Sequence, residues 1–146
     1  MKKGFTLVEL IVVIAIIGVL AAILIPVMMV YVKKAKLKSA DLNAKIVYTT
    51  LNNTCADLTS GGTEVANGIH NPTLVTELNT TDELEKAVYE ALQDNGAGSG
   101  AAAWEIENNN PIWAQWADKT NSDTLVGQYP KPETDYDAIH AIGENF

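Results

Sequence analysis

The sequence has no arginine and a single cysteine, Cys55. One thiol excludes an intrachain disulfide and any multi-cysteine zinc cluster. Its ten lysines face 18 acidic residues, for a formal net charge of −8. That balance argues against a globally basic surface for phosphate backbones, and no nucleic-acid partner is expected. Histidine is scarce too: His70 and His140 are far apart and lack metal-ligand spacing, so each reads as a surface or structural residue. Glu133, Asp135 and Asp137 lack the pattern of a calcium loop and read as solvated. Serine, cysteine and histidine form no nucleophile constellation. Neither an enzyme nor a metal or other cofactor is expected.

What is abundant is apolar, and it is unevenly placed. The 146 residues are 47% hydrophobic and 19% charged, which fits one folded domain with an appended segment. Residues 1–45 hold seven lysines against Glu9 and Asp41, a net of +5, whereas residues 46–146 hold three lysines against 16 acids, a net of −13. From Leu10 to Val32 there is no charge, and only Gly18, Pro26 and Tyr31 are not aliphatic, Ala or Met. As a helix this run spans roughly 34 Å, enough for the hydrocarbon core of a bilayer. It is longer than the apolar core of an ordinary signal peptide, and an acid stands at its start. Glu9 does not fit a plain anchor, because an ionisable group in a membrane segment costs several kcal/mol unless it has a partner or lies at the headgroups.

Lys2-Lys3-Gly4-Phe5-Thr6-Leu7-Val8-Glu9-Leu10, followed by the apolar run with Gly18 and Pro26, resembles the amino terminus of a type IV prepilin. The shared signature is a short basic leader ending in Gly, then Phe-Thr-Leu-x-Glu and a long hydrophobic helix. The resemblance covers the first 30 to 50 residues. It implies cleavage by a prepilin peptidase between Gly4 and Phe5, and methylation of the new amine on Phe5. It implies an assembly role for Glu9, whose carboxylate would pair with the Phe5 amine of a neighbouring subunit. It also implies loss of helical order between Gly18 and Pro26 in an assembled filament; Pro26 by itself should kink the helix. The partners implied are further copies of the chain in a homopolymeric filament, the peptidase, and a membrane assembly machinery of platform protein and ATPase complex. The lipid bilayer would hold the subunit before assembly.

The implied localisation is single-pass in the cytoplasmic membrane, then an extracellular pilus. Lys33, Lys34, Lys36 and Lys38 follow the apolar run, which by the positive-inside tendency would place the remainder in the cytoplasm. The prepilin signature is the more specific of the two signals. Two alternatives share the amino-terminal features: a pseudopilin of a type II secretion or competence DNA-uptake apparatus, and a membrane-anchored extracellular binding module.

The helix is expected to continue as an amphipathic half over 33–52, because Ala40, Ala44, Val47 and Leu51 form one apolar stripe. A head over 53–146 follows. Asn53–Asn79 reads as loop from its Gly and Pro content. Thr80 and Glu83 suggest a capping box for a short helix at about 82–95, closed near Asn95-Gly96. Strands are expected at Ala103–Glu107, Ile112–Ala117 and Leu125–Tyr129, with turns at Asn108–Pro111 and Asp118–Asp123. Trp104, Trp113 and Trp116 read as core residues. The whole is α+β: a long amino-terminal helix packed on a small antiparallel sheet, with an acidic tail on the surface after Pro130 and Pro132. Many pilins of this type pin this region with a disulfide; here stability has to come from the helix–sheet interface or from a bound ion.

Overall fold

A computed structural model describes residues 4–120 and 125–146. The expected leader residues Met1–Lys3 and half of the turn at Asp118–Asp123 therefore lie outside the described residues. Two compact units are present, Met1–Lys34 and Ala35–Phe146. A single helix, α1 (Leu7–Ser60), supplies nearly all of the first and the opening element of the second.

In the first unit α1 is apolar on every side. Phe5, Leu7 and the aliphatic residues through Val32 are exposed, as in a segment whose partners are lipid or other helices. By length and composition this stretch can cross a membrane.

The second unit is α+β. After α1 come β1 (Gly68–Leu74), a short 3-10 turn (Val75–Glu77), α2 (Glu83–Asp94), β2 (Ala101–Glu107), β3 (Asn110–Ala117) and β4 (Val126–Tyr129). The strands form one antiparallel sheet in the order β1-β2-β3-β4. Strands β2, β3 and β4 match the expected meander, and β1 adds an edge strand inside the segment expected as loop. Its composition explains the difference. Gly68 and Pro72 lie within it, and the pairing slips between His70 and Thr73. Proline is tolerated there because an edge strand has one side free of ladder bonds.

The helix also runs past its expected end at Asn52. The buried stripe continues from Leu51 to Cys55, and the stop comes at Gly61-Gly62. The Thr63 amide reaches the Leu58 carbonyl at 2.9 Å and the Gly62 amide reaches Thr59 at 3.0 Å. With Gly62 at φ 80°, this is a Schellman stop. Helix α2 ends the same way at Gly96, as expected. Its start differs: Asp82, not Thr80, is the N-cap, accepting from the Leu84 and Glu85 amides at 3.0 Å each.

One face of the sheet packs on α1 and α2. Ala40, Ala44, Val47, Leu51 and Cys55 of α1 meet Ala102, Trp104, Ile106, Ala114 and Trp116, with Val88 and Leu92 of α2 closing the side. Burial pushes the Cys55 thiol up, away from the reactive thiolate. Close approach at β4 depends on Gly127, where a Cβ would stand 2.0 Å from the Ala40 carbonyl carbon. The other face is covered by the tail. Ala101, Ala103, Trp113, Ala117 and Val126 form a second cluster with Ile142.

Two buried glutamines stitch the tail down. The Gln115 side-chain amide donates to Gln128 Oε1 (2.7 Å) and to the Glu144 carbonyl (2.6 Å), and Gln115 Oε1 accepts from the Gly143 amide (2.6 Å). Gln128 Nε2 donates to the carbonyl oxygens of Phe146 (2.8 Å) and Lys131 (3.2 Å). These hydrogen bonds tie residues 143–146 to strands β3 and β4.

Candidate functional site

The first helical turn carries the chemistry. Gly4, Phe5 and Thr6 precede α1 without regular structure, and all three are exposed. An added Cβ at Gly4 would meet nothing within 4 Å, so the Gly4–Phe5 peptide bond is open on the surface of the chain. Phe5 is 86% exposed, and no apolar neighbour shields it.

Thr6 and Glu9 form a reciprocal capping box. The Thr6 amide donates to Glu9 Oε2 at 2.8 Å and the Thr6 hydroxyl donates to the same oxygen at 2.7 Å. The Glu9 amide in turn donates to Thr6 Oγ1 at 3.3 Å. The Thr6-x-x-Glu9 spacing displays this local role, which stands beside the assembly role that the prepilin resemblance implies for Glu9. The carboxylate is thus held at the helix start. Gly18 and Pro26 both lie inside the continuous helix, and an added Cβ at Gly18 meets nothing within 4 Å. Pro26 lacks an amide, so the Ala22 carbonyl has no helical donor four residues on.

In the second unit the electrostatic exceptions sit beside β4. Asp41 is 8% exposed, its Oδ1 accepts from the Gln128 amide at 3.4 Å, and its Oδ2 is buried without a hydrogen-bond partner among the described residues. Burial pushes its carboxyl above the ordinary range, and Glu133 adds to this; the Gln128 amide and Lys38 oppose it. Glu133 goes the other way. The Asp135 amide and His140 stabilise its charge and hold it below the usual range. His140 Nε2 lies 2.6 Å from Glu133 and its ring stacks on Phe146 at 3.7 Å. His70 repeats the arrangement at the opposite edge, 3.3 Å from Glu85 and stacked on Trp104 at 3.8 Å. Each histidine bridges a carboxylate and an aromatic ring. No pattern along the chain marks the Gln115–Gln128 pair, because alternation along a strand reads such residues as solvent-facing.

Residues 1–25 match the prokaryotic N-terminal methylation motif. A fimbrial protein of Moraxella nonliquefaciens is 33% identical over 106 residues, covering 65% of this chain and 69% of that protein. The chain belongs to the type IV pilin family. A type IV major pilin protein, PilA, of Myxococcus xanthus (strain DK1622) is 49% identical over 48 residues, 33% of this pilin but 22% of the relative. No solved structure matches. As a pilin, the chain combines the apolar helix and methylation motif with a small antiparallel head, and its amino-terminal features fit membrane anchoring.

Proposed function

We propose that this pilin is the major structural subunit of a type IV pilus, cut between Gly4 and Phe5, methylated on Phe5, and polymerised through α1. The reading is carried by one observation: a single acid, Glu9, stands in the first turn of an exposed apolar helix, four residues after the residue that cleavage would make the amino terminus. The names of the two relatives, a fimbrial protein and a major pilin, support it. Before assembly, lipid covers Leu10–Val32; in the filament, neighbouring α1 helices replace it. An unpaired charge in that dry core is strongly unfavourable, so the Glu9 carboxylate and the Phe5 amine of a neighbour select the axial register in which they meet. Loss of helical order between Gly18 and Pro26 would relieve packing there, since Pro26 already leaves one carbonyl without its donor.

Prepilin peptidase, a platform protein and an assembly ATPase complex are the machinery this life cycle requires. Replacing Glu9 by Val tests it. Insertion into the membrane is retained because the helix becomes more apolar. The ratio of sheared filament to membrane-held subunit falls sharply at equal expression. Normal filaments from Glu9→Val would reduce Glu9 to its capping role with Thr6.

A further inference from the structure

The sheet topology puts opposite charges at opposite edges of the head. Strand β4 forms one edge, and α1 lies beside it: Lys45 Nζ is 5.6 Å from the Tyr129 ring, Tyr48 packs edge-on to Tyr129 at 5.0 Å, and Gly127 abuts Ala40. On the outward side of α1, Lys38, Leu42, Lys45 and Thr49 are exposed at steps of four, three and four. These steps place them in one stripe. Leu42 is 62% exposed, and among the described residues it is the one large hydrophobic exposed in this part of α1. The acids at this edge are engaged elsewhere. Asp41 is buried, Glu133 holds His140 and two backbone amides, and Asp135 accepts the Asp137 amide at 2.9 Å.

Strand β1 forms the other edge, and α2 lies beside it through the His70–Glu85 contact. The outward side of α2 carries Glu83, Ala87, Glu90 and Asp94, again at steps of four, three and four. Glu83, Glu90 and Asp94 are exposed and Ala87 is half-buried. Asp82 and Glu85 are already used, as N-cap and as the partner of His70. Lys86 is the one lysine on this helix.

The two stripes are complements in spacing and in chemistry: base, large apolar, base against acid, small apolar, acid. We infer that the Lys38–Leu42–Lys45 face of α1 docks on the Glu83–Ala87–Glu90 face of α2 in a second copy of this chain. Laid side by side, Lys38 meets Glu83, Leu42 covers Ala87 and Lys45 meets Glu90. Neither stripe can pair with itself, so the contact is heterologous, and repeated head to head it generates an open array rather than a closed dimer. Each exposed ion pair adds little affinity, but mismatched registers place like charges together, so the ladder fixes how heads neighbour one another. The inference rests on the filament reading above and adds the head-to-head contact to it.

The test uses the full chain in a pilus-assembling host. Lys38→Glu with Lys45→Glu, and separately Glu83→Lys with Glu90→Lys, should each lower sheared filament several-fold; all four together should restore it. Reversal of Lys38 also places an acid near Asp41, but a change on α2 at the far edge cannot repair that within one head. Restoration therefore reads the contact between copies. As a second readout, Leu42→Cys with Ala87→Cys should give a disulfide-linked ladder in oxidised filaments. Unchanged filament yield in both reversed chains, or filaments that form without a ladder, overturns the interface and leaves the filament reading standing. A wild-type chain that never yields sheared polymer overturns both.

Discussion

Among the described glycines, Gly127 leaves the least room for a methyl group, and Gly127→Ala fills that space. The new methyl would lie 2.0 Å from the Ala40 carbonyl carbon, 2.2 Å from its oxygen and 2.3 Å from the Asp41 amide nitrogen. These are backbone atoms of a helix, so no rotamer change relieves them. Ordinary contact begins near 3.4 Å, and β4 and α1 must therefore separate by about 1.4 Å. Separation also stretches the Gln128–Asp41 hydrogen bond, already 3.4 Å long. Overpacking of this kind costs about 1–3 kcal/mol. At roughly 4 °C per kcal/mol for a unit of this size, the melting midpoint falls by roughly 4–12 °C. The assay is thermal unfolding of a fragment beginning at Ala35, followed by circular dichroism. A variant melting within about 1 °C of the parent would refute the claim that Gly127 sets the helix–sheet distance.

Three further outcomes are expected. Asp41→Asn should stabilise the head at neutral pH and leave it unchanged in acid. Burial raises the folded-state pKa, so stability is fully present below the unfolded value of about 4 and is lost as pH rises through the raised folded value; unfolding of both forms from pH 3 to 8 checks the sign. Gln128→Ala should cost about 1–3 kcal/mol and speed hydrogen exchange at the Phe146 amide, because buried partners are left unsatisfied. His70→Ala should loosen α2 from β1, seen as faster exchange across Glu83–Asp94, while the β2–β3 hairpin is unaffected.

The parts legible in the sequence were those whose signal is local or periodic. The α1 stripe, the Gly96 stop and the strands around Trp104, Trp113 and Trp116 follow from spacing alone. The cap of α2 was misassigned because Thr80 and Asp82 both precede acids, and only the backbone decides which oxygen meets the free amides. Strand β1 was hidden because its partner, β2, lies about thirty residues on and its own composition is that of a turn. The tail was hidden for a similar reason. Its anchor is a pair of glutamines whose burial depends on the tail itself. At the amino terminus, Gly4, Phe5 and Glu9 were legible as a linear signature, whereas the Thr6–Glu9 box went unread beside it.

The proposed functional form is a polymer of processed subunits. Intact mass and amino-terminal sequence of the protein in the sheared extracellular fraction test this. One dominant species should be found, lacking Met1–Gly4 and beginning with methylated Phe5. A chain still beginning at Met1, or cut near Ala21-Ala22 and released as monomer, would contradict it.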